Sequence, residues 1–359
     1  MSSISILTSV SKGWLHQDGG FDFNESYYLD PIYRQVQDRK IDSFLQERFP
    51  DYAIYNLESN LVQPVYWQPD YFYVGGIQPN LIVGACLGVD FVYYPDKDMD
   101  LASGNPLAGI QSVDDLPGPD EILAHPLILY FDRQLGKIKQ SHPESTVIPP
   151  FFWDTSGRAT IHGFITTAQK FYGEDIFLRI YDNPDFVKAF HGWIADVYIA
   201  LIQHYSELGN ISIRSVHIGE CSGTMIRKSH YREYIIPHAS RLGRELGPVR
   251  LHSCGKSDHL LDEIARIDNL SVLDTGSNTS VSGIREHLGD IQIDIAPPVE
   301  LLLDNGDKEQ IDVWLENLLR ENGDGHLTIN FHLEPGYSLE NCLAIHDGLY
   351  ERDLIERKR

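Results

Sequence analysis

The tetrapeptide His252-Ser253-Cys254-Gly255 is where residue type and spacing in this chain most plainly suggest chemistry. In an extended segment residues i and i+2 point the same way, so the imidazole and the thiol face one point. An imidazole and a thiolate on one face make half of a zinc site, and Gly255 lets the backbone turn away behind them. H-x-C alone is a weak signal in a chain with 15 histidines, where two packed side chains at a strand end would look the same. Position strengthens it. Glu220 with Cys221, and His332 with Glu334, end other β-like runs, and a site assembled from several strand ends suits a metal or catalytic centre.

Further candidates fall at equivalent places. Asp274 and Asp294 end β-like runs, where each could hydrogen-bond a metal-bound His252, contact a substrate, or cap the next helix. Glu58 follows another run and is a candidate substrate or metal contact. The segment 150–158 is aromatic for a loop: Trp153 could stack on a flat ligand or plug the core. At its end Arg158 could clamp a carboxylate or phosphate. Cys342 lies about a turn inside a helical stretch, where a buried neutral thiol is the ordinary outcome.

These residues need a scaffold, and the pattern of the chain supplies one. Eight short β-rich runs alternate with amphipathic stretches: Ala53–Leu57, Phe91–Tyr94, Ser145–Pro149, Arg214–Gly219, Val249–Ser253, Leu270–Asp274, Ile291–Ile295 and Leu327–His332. The last five begin at 214, 249, 270, 291 and 327, and each step is the span of one βα unit. Eight parallel strands with intervening helices predict an α/β fold, a (β/α)8 TIM barrel, with an N-terminal helical extension over residues 1–50. No G-x-G-x-x-G follows a strand, which disfavours an open dinucleotide-binding sheet. Asn183-Pro184-Asp185 and Ser338-Leu339-Glu340 read as helix starts. The Gly-, Pro- and Asp-rich segment 96–119 reads as a long loop on the strand-exit side.

The 359 residues carry 29 Lys and Arg against 52 Asp and Glu, a net charge of −23, which argues against nucleic acid and anionic membranes as partners. With 42% hydrophobic residues there is ample material for a core. The longest apolar stretch, 81–92, is broken by Gly84, Gly88 and Asp90 and is too short to span a bilayer. The first residues lack the basic and apolar regions of a secretory signal, so a cytoplasmic location is expected. Four cysteines are too few for a disulfide scaffold, which leaves them as ligand or nucleophile candidates.

Three stretches carry a family resemblance: VHIGECSGTMIRKSHYREYIIPHASRL from Val216, VRLHSCGKSDHLLDEI from Val249, and INFHLEPGYSLENCLAIHDGL from Ile329. They resemble the uroporphyrinogen decarboxylase superfamily, particularly its corrinoid-dependent (methylcobalamin) methyltransferase branch. The resemblance implies one barrel domain over 1–359 and a zinc ion that activates a thiol to take a methyl group. It implies His252 and Cys254 as ligands. The family's later cysteine would fall near Phe331, so His332 is the expected third ligand, with Glu220 able to complete the set; Cys342 and Cys221 rank behind them. Glu220 and Asp274 are the expected catalytic acids, and Glu58, Trp153, Arg158 and Asp294 the expected substrate contacts. Asp324-Gly-His326 lacks the glycine of a D-x-H-x-x-G cobalt-binding motif, so a corrinoid would come free or on a partner protein. A small-molecule substrate is expected, and a homodimer is compatible. The other readings are a cofactor-free decarboxylase or lyase, and a non-catalytic ligand-binding barrel.

Overall fold

The computed structural model describes residues 3–56, 68, 70–102 and 104–357. Its strands are β1 (Ile4–Val10), β2 (Ile54–Asn56), β3 (Tyr71–Tyr73), β4 (Phe91–Val92), β5 (Asp100–Leu101) and β6 (Thr146–Ile148). They continue with β7 (Arg158–His162), β8 (Ser215–Gly219), β9 (Val249–Ser253), β10 (Leu270–Thr275), β11 (Gln292–Ile295) and β12 (Leu327–Leu333). Eight of these form one curled sheet in the order β2-β1-β12-β11-β10-β9-β8-β7. Every neighbouring pair in it is parallel.

The first strand lies beside the last: β1 pairs with β12 from Ile4–Leu327 to Val10–Leu333. That junction is the one a barrel makes when its sheet curls back on itself. The expected closed ring is not complete, however, because β2 and β7 remain as edges of the described sheet. Of the four strands that lie between them in sequence, β3 and β6 pair with each other as a separate parallel ribbon.

Each strand shows why the sequence folds this way. Val249 and Leu251 on β9, like Val216 and Ile218 on β8, are fully buried. They alternate with His217 on β8 and with Arg250 and His252 on β9, which point to the opposite face, the lumen. Helices cover the apolar face. The helix Pro184–Gly209 starts where Asn183 accepts a hydrogen bond from the Phe186 amide at 3.3 Å, with Pro184 in its first turn. It buries Phe186, Val187, Phe190, Ile194 and Ile202, each such side chain contributing roughly 1.5–3 kcal/mol. The helix Leu339–Glu351 is capped by Ser338 in the same manner.

Three expectations for the scaffold are corrected. The helical extension over 1–50 begins with a central strand, β1, and becomes helical from Lys12 onward. The run Phe91–Tyr94 gives only β4, which pairs antiparallel with β5 in a hairpin outside the main sheet. The run Ser145–Pro149 gives β6 of the side ribbon, and its place in the main sheet is taken by β7. Both strands that the pattern hides, β1 and β7, carry polar residues on alternate positions, Ser5, Ser9, Arg158, Thr160 and His162, and so break the apolar signature of a buried parallel strand. No described helix is long and apolar enough to cross a membrane.

Candidate functional site

Strand β9 delivers His252 and Cys254 to the strand-exit end, and β8 passes through Glu220 into a short 3-10 turn, Cys221–Met225. There Cys221, His252 and Cys254 each offer a ligand atom, and the three atoms lie within 4.8 Å of one another. Gly255 permits this convergence: a Cβ there would fall 2.7 Å from Thr224 Oγ1, so a larger residue would push the two turns apart. Among the described residues the group brings in Cys221, and His332 lies outside it. Cys221 opens the turn directly after β8, two residues past the strand's last residue, Gly219.

A charged ladder runs behind this cluster. His252 Nδ1–H donates to Asp274 Oδ2 at 2.7 Å, which leaves Nε2 as the ring nitrogen that would face a metal once its own proton is displaced. The same carboxylate oxygen receives Arg250 Nη2 at 2.8 Å, and Arg250 Nε donates to Asp294 Oδ2 at 2.9 Å. Arg250 also reaches His217 Nδ1 at 2.6 Å. Burial opposes the charge on His252, but the Asp274 carboxylate outweighs it and raises the imidazole to about 9. A hydrogen bond from the Cys221 thiol, and a second from His252, hold the Cys254 thiol down to about 4. Cys221, donating to that thiolate and partly buried, is pushed up in turn. The cluster therefore holds one thiolate and a thiol that would become a second on losing its proton to a metal.

Two cavities meet at these donors. An inner one of about 230 Å³ extends beneath the ends of β10, β11 and β12, bordered by Ser9, Ala296, Val299, Leu302, Asn330 and Tyr337 among others. A wide cleft of about 1170 Å³ lies on the other side, between the segment 104–108, the helix Phe164–Tyr172 and Cys221. His252, Cys254, Ala296 and His332 border both.

The other expected residues are placed as follows. Glu220 is fully buried and turned from the thiols toward the start of the helix Phe164–Tyr172. It accepts from the amides of Phe164 at 2.5 Å and Thr166 at 3.0 Å and from the Thr166 hydroxyl at 3.0 Å. Burial outweighs those donors and raises its carboxyl to about 7. His332 faces the cavities with Nε2 3.2 Å from Glu334 Oε1, outside the three-donor group. Asp294 is held by Arg250 and by Gln292, whose amide lies 3.1 Å from Oδ1. Arg158 is buried in the lumen, where burial and the neighbouring Arg250 lower it to about 10. Trp153, buried nearby, borders neither cavity. Cys342 packs in the core within the helix Leu339–Glu351, and burial pushes its thiol up to about 12. Glu58 lies outside the described residues. Sequence reasoning passed over Arg250, His217 and Ser9, though each stands at i±2 spacing from a lumen residue on its strand.

Residues 165–341 match the family model for uroporphyrinogen decarboxylase (URO-D). No curated protein matches the sequence. Among solved structures, a methyltransferase from Methanosarcina mazei superposes with a TM-score of 0.64 at 13% identity, over 98% of this chain and 94% of that one. A putative vitamin-B12 independent methionine synthase from Listeria monocytogenes aligns over 98% of this chain and 95% of its own, at 11% identity and a TM-score of 0.43.

Proposed function

We propose, from the premise that the chain belongs to the uroporphyrinogen decarboxylase superfamily, that it is a metal-dependent methyltransferase. In this reading the methyl group moves between a small molecule in the inner cavity and a corrinoid, free or on a partner protein, that enters by the wide cleft. The observation that carries the reading is the position of the donor cluster: His252 and Cys254 border both cavities, and Cys221 beside them borders the wide cleft. A reacting group in one space and a carrier in the other would meet at those donors.

Two thiols and an imidazole fit zinc, whose ligands are commonly Cys and His, and three protein ligands leave a position for substrate. When bound there, zinc supplies a Lewis acid that makes a coordinated thiol nucleophilic near neutral pH. The chain's own residues do the rest. Asp274 keeps the His252 proton on Nδ1, Glu220 fixes the turn that carries Cys221, and Ala296, Val299 and Leu302 give the small reactant an apolar side to pack against.

Metal content tests the reading. Protein purified without chelator should carry close to one zinc per chain, and Cys221→Ser, His252→Ala and Cys254→Ser should each reduce it well below stoichiometry while His332→Ala retains it. Methylcobalamin should lose its methyl group to an added thiol only in the zinc-loaded protein. Metal-free wild-type protein, or variants that bind zinc as tightly as the parent, would overturn the proposal.

A further inference from the structure

We propose that the inner cavity selects an uncharged, hydrogen-bonding reactant of the amide, alcohol or ether class over acids and cations of the same shape. The inference rests on the methyl-transfer reading for the identity of the reactant, but its charge preference follows from the walls of the cavity alone.

The cavity is small, about 230 Å³, and ends at His252 and Cys254. Ala296, Val299 and Leu302 form its apolar side. Ser9 borders it while being 1% exposed, and its hydroxyl has no hydrogen-bond partner. A buried hydroxyl without a partner is costly to leave unsatisfied, so a reactant that reaches Ser9 Oγ gains a bond that the empty cavity lacks. Asn330 also lines this space and can donate or accept.

Charge is where the walls discriminate. Among the described residues that border the cavity there is no Lys or Arg. His332, the one histidine there beyond the donor cluster, already faces the Glu334 carboxylate at 3.2 Å. An acid would therefore give up its hydration with no free cation to replace it. A cation fares little better, because the anions on this wall are already paired: Asp274 Oδ2 is shared between His252 and Arg250, and the Cys254 thiolate accepts from Cys221 and His252. An amide, by contrast, brings a donor and an acceptor that Ser9 and Asn330 can satisfy.

Matched probes test this. Propionamide, propionate and propionamidinium share one shape and carry charges of zero, minus one and plus one. Their binding to metal-free protein is measured by ligand-observed NMR, with the cross-peaks of residues around Ser9 and Asn330 locating the site. Propionamide should bind at least ten-fold tighter than either ion, and Ser9→Ala should cut that preference to a few-fold while leaving the thermal midpoint near the parent's. Equal or tighter binding of propionate or propionamidinium overturns the proposal, and so does the absence of binding by all three. A preference unchanged in Ser9→Ala overturns the role of Ser9. A second arm uses cobalt-loaded protein with 3-mercaptopropionamide and 3-mercaptopropionate, read by the thiolate-to-cobalt absorption band. If the amide preference holds in the metal-free arm but no band forms with either thiol, the metal reading fails and the cavity assignment stands.

Discussion

Asp274 is pulled from two sides. Arg250 Nη2 approaches the same oxygen that accepts the His252 Nδ1 proton. Burial alone would push this carboxyl up, yet the charges of Arg250 and His252 hold it well below the usual carboxylate range. An acceptor-only group opposite Nδ1 sets the tautomer and directs Nε2 toward the two thiols, as the outer partner of a ligating histidine does. Asp274→Asn keeps the shape but offers an amide that can present its NH2 instead. It should weaken zinc affinity about 10- to 100-fold, measured by chelator competition, with the thermal midpoint of the metal-free protein as a control. Affinity equal to the parent's would mean that Arg250 and packing orient His252 without the carboxylate.

At the scale of elements, the junction between β8 and the helix Phe164–Tyr172 links fold to site. Glu220 spans it, taking up the helix's first amides, and Gly163 leaves room for the carboxylate: a Cβ there would sit 2.3 Å from Glu220 Oε2 and 2.8 Å from its Cα. Neither neighbour can yield easily, one being backbone and the other tied by three donors. Gly163→Ala should therefore cost roughly 1–3 kcal/mol in urea denaturation and also lower zinc occupancy, because the displaced residue precedes Cys221. A midpoint equal to the parent's would show that the helix start can shift freely. This junction also shows what a sequence can convey. The strands β8 to β12 were legible, since their buried residues alternate with turn signals at βα spacing, and the closeness of His252 and Cys254 was legible because both belong to the end of one strand. Cys221 ranked low because its partners are a strand away, and Glu220 looked like a free acid because the amides that hold it belong to residues more than 50 positions earlier. Strands β1 and β7 were hidden by the same polar lumen that builds the site.

Across the whole molecule, the charge of −23 resides mainly on the outer acids, while the interior concentrates histidine. His162, His191, His217 and His346 are all buried. Burial holds His162 and His191 down to about 3 and His346 to about 4, and pushes His217 well below 6.5, with Arg250 and Arg158 adding to it. A histidine whose native pKa lies below its unfolded value binds fewer protons folded than unfolded between the two. Its contribution is in place above about 6.5 and is lost as pH falls. Glu220 acts in the opposite sense: raised to about 7, it favours the folded state increasingly as pH drops from 7 toward 4.5. In the metal-free protein His252, raised to about 9, makes its full contribution below 6.5 and drops out of the balance there. Each buried histidine withdraws up to ~1.4 kcal/mol per pH unit, so four against one carboxyl should leave the metal-free protein about 2–4 kcal/mol less stable at pH 5.5 than at pH 6.5. Urea midpoints at the two pH values measure this. His191→Gln, outside the three-donor group and able to keep the bond to the Tyr234 carbonyl, should reduce the loss by about 1 kcal/mol. A midpoint that holds or rises on acidification would mean that these histidines find protonated states inside the fold, with water or rearranged partners supplying what burial removes.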